Sequence, residues 1–203
     1  MNVVKSILEQ NIIVETERLK IYPFELNEKV IFDLYEIYGS WSNVLNYSKV
    51  YSSIGDFASF MFSKIEYHQN ELNGFVSFLI ERKKYKKLIG LRNVILDGVY
   101  TKNGIESPSS ENVISEIVIN ENYWQEGIAF ESSEAIFTIL RTFGIKNILT
   151  FINSYNFSAK ELDSRLGFLP VDLNQVINEY KYHVDFNIHT TDFANSKIFI
   201  KTL

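Results

Sequence analysis

The chain contains no cysteine. Disulfides, thiolate catalysis and a Cys-ligated zinc site are thereby excluded. Proline is scarce, at three residues, and glycine is limited to nine in a chain of 203, which argues against a linker-rich layout of several domains. No apolar run approaches the ~20 residues of a membrane-crossing helix, so no membrane partner is expected. No Lys/Arg-rich face stands out, and 20 basic against 25 acidic residues leave a net charge of −5. Nucleic acid is therefore not expected as a partner. That charge would steer a cationic ligand favourably, although a value this small also simply aids solubility. Histidine occurs only as His68, His183 and His189, and none forms a metal-binding spacing with carboxylates. No metal is expected.

Apolar residues make up 46% of the chain, with 16 Phe and 12 Tyr, enough for an aromatic-rich core in one globular domain spanning 1–203. Met1 to Gln10 carries a single Lys and no long apolar core. It does not read as a signal peptide, and a soluble, cytoplasmic protein is expected.

Periodicity supplies the elements. A strand is predicted from Asn11 to Phe24, ending at Pro23, then a helix from Leu26 to Tyr38 with Val30, Ile31 and Leu34 in helical spacing. Trp41 to Ser53 reads as loop. A second helix, capped by Asp56, carries Phe57, Phe60, Met61 and Ile65 on one face. Strands follow at Gly74 to Glu81 and Lys87 to Leu96, joined by the basic turn Arg82 to Lys87, which reads as a solvated turn or a binding patch. Gly98 to Asn112 reads as a long loop, either a lid or an insertion. Val113 to Ile119 is apolar and strand-like, and Ile128 to Phe143 is amphipathic with Gly144 as its stop. A parallel-type strand is expected over Lys146 to Ile152, a short helix over Phe157 to Leu166, strands over Phe168 to Leu173 and Tyr180 to Thr190, and an edge strand over Ser196 to Lys201. Strands and helices in this order predict an α/β layer fold with a mixed sheet.

The most informative stretch joins the strand at Val113 to Ile119 to the helix at Ile128. A tight turn there aims main-chain N–H groups at one point, backed by the positive end of a helix, which suits a phosphate or diphosphate. The run Tyr123-Trp124-Gln125-Glu126-Gly127-Ile128-Ala129-Phe130-Glu131 resembles the acetyl-CoA signature of the GCN5-related N-acetyltransferases. It is most similar to the ribosomal-protein N-terminal acetyltransferase branch, where the usual run is Tyr-Trp-Gly-Lys-Gly-Tyr-Ala-Thr-Glu. Three further segments resemble that branch in order: Glu15 to Ile21, Lys87-Leu88-Ile89-Gly90, and Asn156 followed by Leu166-Gly167-Phe168. The resemblance spans residues 15 to 168. It implies a single-domain α/β fold whose mixed, mostly antiparallel central sheet of about seven strands is flanked by about four helices. It also implies a splay between the two central parallel strands.

The same resemblance implies acetyl-CoA as acyl donor. The turn at Gln125, Glu126, Gly127, Ile128 and Ala129 would hold the diphosphate. Main-chain groups of Ile117, Val118 and Ile119 would pair with the pantetheine arm, and Asn156 would contact that arm or serve as a turn-forming residue. Gln125, Glu126 and Phe130 depart from the branch's pattern, and Glu126 can avoid repulsion by pointing outward while its N–H points inward. Ala159 stands where Ser is frequent, and Asp163 where many relatives have a Tyr acid. Glu116, in an otherwise apolar segment, is the leading general-base candidate, against a reading as a surface-facing strand residue. Ser115 is a weaker candidate for positioning or acid work. His189, four residues past Asp185, is a lesser alternative base. The implied activity is acetyl transfer to a primary amine, on a small molecule or a protein N-terminus, by direct attack in a ternary complex. The cleft helices and loops at about 26–72 and 98–112 would select the acceptor. A non-catalytic acyl-CoA sensor or interaction module on the same fold is the alternative, and an unrelated α/β binding protein a third reading. The resemblance leaves a homodimer open.

Overall fold

The computed structural model describes residues 3–40, 42–43, 51–69, 74–101, 104–106, 109, 111–180, 182 and 196–203. Its strands are β1 (Val14–Glu15), β2 (Leu19–Pro23), β3 (Phe75–Arg82), β4 (Lys87–Leu96), β5 (Val99–Thr101), β6 (Gly104–Glu106), β7 (Asn112–Ile119), β8 (Asn147–Asn153), β9 (Leu169–Val171) and β10 (Ser196–Thr202). Its helices are α1 (Val3–Glu9), α2 (Glu28–Gly39), α3 (Ile54–Gln69), α4 (Ile128–Thr142), α5 (Phe157–Arg165) and α6 (Leu173–Asn178). Among the described residues, eight strands form one sheet in the order β1-β2-β3-β4-β7-β8-β10-β9, and β5 and β6 form a separate antiparallel hairpin. Neighbours in the large sheet run antiparallel, except that β7 and β8 are parallel. This is the expected mixed α/β architecture.

Strand alternation sends side chains to two covered faces. On one, Val76, Phe78, Val113, Ile119 and Ile148 pack with Ile7 of α1, with Ile128, Ile136, Phe137 and Leu140 of α4, and with Leu162 of α5. On the other, Leu79, Leu91 and Val118 pack with Val30, Ile31, Leu34 and Ile37 of α2 and Phe57 and Met61 of α3, while Phe75, Ile95, Ile114 and Leu149 pack with Val176 of α6. Both faces being covered, β3 and β4 are buried along nearly their whole length, Ser77, Arg92 and Asn93 included. Among the described residues, no helix is long and apolar enough to cross a membrane.

Several local expectations change. The first strand breaks at Thr16–Arg18, where the Thr16 hydroxyl accepts from the Leu19 N–H at 2.9 Å. Ser53, not Asp56, caps α3, since its hydroxyl accepts from the Asp56 N–H at 3.1 Å. The expected loop at 98–112 contains the β5–β6 hairpin. The strand expected to Leu173 stops at Val171, because Asp172 and Gln175 form a capping box that starts α6. β10 is not an edge: it lies between β8 and β9. Most of the strand expected over 180–190 lies outside the described residues. Gly144 takes φ +87° just past α4, as its role as a stop requires.

The decisive feature is where β7 and β8 part. They pair only as Asn112 with Asn147, Val113 with Ile148 and Ile114 with Leu149. Beyond that, β7 runs on against β4 to Ile119, and β8 runs on against β10 to Asn153. The base of the fork is clasped by the Asn147 side chain donating to Asn112 Oδ1 at 3.0 Å. Past it lie buried polar groups. Arg92 donates to Ser115 Oγ at 2.6 Å and to Ser133 Oγ at 2.5 Å, with its guanidinium 5.0 Å from the Phe137 ring centroid. Thr150 donates to the Asp163 carboxylate. Burial pushes the Asp163 carboxyl up from 3.8 to about 6, against the opposing pull of the Thr150 hydroxyl and the Arg92 charge.

Two predictions follow from the packing of the sheet. A Cβ at Gly90 would lie 2.7 Å from the Val118 carbonyl oxygen and 2.5 Å from Ile119 Cδ1. Gly90→Ala is therefore expected to destabilise the fold by about 1–3 kcal/mol, measured by urea unfolding, because β7 must shift. For Asp163, the folded state holds its proton more tightly than the unfolded chain. Its contribution is full below the unfolded value of 3.8 and is lost as pH rises through about 6. The stability of the wild type relative to Asp163→Asn is expected to fall by roughly 2–3 kcal/mol between about pH 4 and about pH 7, then level off. A flat difference would contradict it.

Candidate functional site

β7 leads into the site through a tightly held turn. Asn120 caps a 3-10 turn (Glu121–Tyr123), its Oδ1 accepting from the Asn122 N–H at 3.0 Å. The Trp124 indole N–H donates to the Ile119 carbonyl at 2.8 Å, and Asn43 Nδ2 donates to the same oxygen at 3.1 Å. Gln125 then takes φ +62° and Gly127 φ +76°. The left-handed region costs a side-chain-bearing residue about 1 kcal/mol or more, which explains why the resembling signature has Gly where this chain has Gln125. Gly127 is the N-cap of α4, and among the described residues no side chain caps that end. The N–H groups of Ile128, Ala129 and Phe130 thus have no acceptor within the helix and sit at its positive pole.

A distant segment braces the turn. Arg18, just before β2, donates through Nε to Glu131 Oε2 at 2.6 Å and through Nη1 to the Glu126 carbonyl at 2.8 Å. Its Nη2 lies 2.5 Å from the same Glu131 carboxylate. The Thr16 hydroxyl also donates to Glu131. Burial pushes the Glu131 carboxyl up, but the Thr16 and Arg18 hydrogen bonds outweigh it and hold it below the usual range. Glu126 points outward, as anticipated, and pairs with Arg82 at 3.3 Å.

Between the turn, the diverging end of β7 and α5 lies a cleft of about 460 Å³. Ile117, Val118, Ile119, Gln125, Gly127, Ile128, Ala129 and Asn156, read from sequence as donor-binding residues, all line it; Glu126 does not. The main chain refines their roles. Asn120 N–H donates to the Ile89 carbonyl at 2.8 Å, so alternation turns the main chain of Val118 toward β4 and those of Ile117 and Ile119 toward the cleft side. Asn156 is the N-cap of α5, its Oδ1 accepting from the Ala159 N–H at 3.0 Å.

Other residues fall elsewhere. Ser115 is buried, donates to the Asn93 carbonyl at 3.1 Å and does not line the cleft. Asp163 is likewise buried and does not line it. Glu116 is half-buried on the α2 face, where Asn93 Nδ2 reaches its Oε2 at 3.3 Å and the Ser77 hydroxyl donates to Asn93 Oδ1 at 2.5 Å. These three residues are directly opposed across β3, β4 and β7. The side chain of His68, together with His183, Asp185 and His189, lies outside the described residues. Among the described residues no His, Asp or Glu group could hold a metal ion.

Sequence reasoning missed Asn43, Trp124, Glu161, Leu162 and Arg165 in the cleft wall. Ser158, Glu161, Leu162 and Arg165 follow Asn156 at helical spacing, a signal that extending one face of α5 would have found. Arg165 stacks on Phe130, with its guanidinium 5.2 Å from the ring centroid. Nothing in the sequence marks Asn43.

No family model matches the sequence, and a search of curated proteins finds no relative. Solved structures do resemble it. RimL, a ribosomal L7/L12 alpha-N-protein acetyltransferase in its apo form, superposes with a TM-score of 0.67 at 15% identity, covering 95% of this chain and 94% of that one. Spermidine N-acetyltransferase from Vibrio cholerae, in complex with CoA and spermine, gives 0.63 at 15% identity, covering 92% and 96%. Ribosomal-protein-S5-alanine acetyltransferase from Vibrio fischeri gives 0.64 at 11% identity, covering 94% and 96%. With the forked parallel pair, the uncapped helix and the cleft between them all in place, the chain has the fold of the GCN5-related N-acetyltransferases.

Proposed function

We propose that this protein is an acetyl-CoA-dependent N-acetyltransferase acting on a primary amine. One observation carries the reading: the cleft beside β7, beyond its last pair with β8, ends on the uncapped N-terminus of α4. The donor set suits the thioester carrier. Main-chain N–H groups at Ile128, Ala129 and Phe130 offer donors to a diphosphate without a competing side chain. Glu126, the carboxylate that would repel it, is turned away to Arg82. Ile117 and the Asn156 amide face the stretch an amide-bearing arm would follow.

Glu116 is the proposed general base. It lies on the face of the sheet opposite α4, one residue before the cleft-lining segment, so a donor threaded through the fork meets an acceptor there. The carboxylate takes the proton the ammonium must lose, and the freed amine attacks the thioester carbonyl carbon. The carbon–sulfur bond then breaks, and the leaving thiolate takes the second proton from the amine nitrogen, so that an amide and a free thiol result. The acceptor class is a small amine or a protein N-terminus. Similarity to enzymes whose names specify spermidine and ribosomal proteins supports that range.

Calorimetry with acetyl-CoA is expected to show binding, and Gly127→Glu to weaken it by at least about tenfold, since it adds a carboxylate at the helix pole. Unchanged affinity in that variant would remove the diphosphate from this turn. Glu116→Gln is expected to lower kcat by about 10²-fold or more with acetyl-CoA affinity unchanged, read from thiol release across a panel of primary amines. Binding without thiol release from any amine in the wild type would favour the acyl-CoA sensor instead.

A further inference from the structure

The parallel ladder between β7 and β8 ends at a change of chemistry. Its last pairs, Val113 with Ile148 and Ile114 with Leu149, are apolar and buried. The next residue on each strand is Ser115 and Thr150. Both point to the α4 face, because Val113 and Ile148, two positions earlier, do. Ser115 is tied through Arg92 to Ser133 on α4. Thr150 is tied to Asp163 on α5. Each strand is thus fastened, at the first position past the ladder, to a different helix. Arg92 and Asp163 lie close enough for the charge of one to act on the other.

All five side chains are buried: Arg92 is 2% exposed, Ser115 3%, Ser133 0%, Thr150 9% and Asp163 6%. A well-packed apolar filling of such a site is commonly as stable as buried charges, or more so. Stability alone therefore gives no reason for an arginine and an aspartate here. Their place at the fork does.

We infer that Arg92 and Asp163 are positioning residues which, through Ser115 and Thr150, hold β7 and β8 apart and so keep the cleft open. Without these ties the ladder is free to continue past Ile114 and Leu149, and the strands close over the groove. The inference rests on the acetyl-CoA reading only for its affinity readout.

The test compares the wild type with Thr150→Val/Asp163→Leu, with Arg92→Met/Ser115→Ala and with the single, near-isosteric Thr150→Val, which is expected to fold even where a double variant does not. Amide hydrogen exchange over Ser115 to Ile119 and Thr150 to Asn153 is expected to slow by about tenfold or more in the folded double variants, and by a smaller factor in Thr150→Val. Calorimetry with coenzyme A is expected to show affinity falling at least about tenfold in those double variants. Their thermal midpoints are expected to stay close to the wild type's or rise. Folded variants with wild-type exchange at these amides would overturn the inference, as would unchanged coenzyme A affinity alongside slowed exchange. If the wild type itself fails to bind coenzyme A, the donor reading falls, while the exchange measurement still decides whether the polar ties hold the fork.

Discussion

Two neighbouring parallel strands that share hydrogen bonds over three residues and then separate impose most of what is distinctive here. A main chain cannot be left unsatisfied in a buried sheet without cost. β7 and β8 tolerate separation because each keeps its outer partner, β4 on one side and β10 on the other, along the diverging stretch. The gap is therefore bounded by two well-supported strands rather than by frayed ends. A helix is then mounted on each strand's exit: α4 after β7 and α5 after β8. The cleft lies between the diverging end of β7, the turn and first residues of α4, and α5. Its inner end gives onto the α2 face and its outer end onto the pole of α4.

Arg18 extends that arrangement to the front of the chain. Its bonds to Glu131 and to the Glu126 carbonyl link the bend before β2 to the turn before α4, more than 100 residues away in sequence. Glu131 also gains from sitting in the first turn of α4, near the positive pole. The pair is only partly exposed, at 35% and 19% of the side chains, and two guanidinium nitrogens converge on one carboxylate oxygen, so solvent screens it less than a surface ion pair. Its main consequence is geometric: the turn that carries Gln125 in a left-handed conformation is held from both sides, by Arg18 and by the Trp124 indole.

The departures from the resembling signature acquire physical meaning in this setting. Gln125 adopts the backbone conformation that glycine would supply, so the turn keeps its shape at some conformational cost. Glu126 has its own cation in Arg82, the last residue of β3, and the basic segment from there to the start of β4 is engaged in ion pairs: Lys83 with Glu15 at 2.9 Å and Lys87 with Glu36 at 3.5 Å, besides Arg82 itself. This agrees with reading Arg82 to Lys87 as a solvated turn. Phe130 lies in the cleft wall beneath Arg165, leaving the groove open beside it.

Much of this was legible from residue order. Apolar periodicity marked α2, α4 and the central strands, and glycines at 127, 144 and 167 marked places where the chain turns through positive φ. The run from Tyr123 to Glu131 marked the turn, because a strand-to-helix link is a local property and its N–H groups point where local geometry sends them. The sequence did not show α1, the capping-box start of α6, or the insertion of β10 between β8 and β9, since pairing partners are chosen across the whole chain. Nor did it show that Ser115 serves Arg92, that Asp163 is held by Thr150 rather than lining the cleft, or that Asn43 reaches the Ile119 carbonyl. The order of residues by itself determined the main strands and helices, the turn and part of the cleft's lining, because these rest on spacing along one segment. Only the tertiary structure decided which buried polar groups face one another and where the parallel pair stops, because those depend on contacts between strands and helices far apart in sequence.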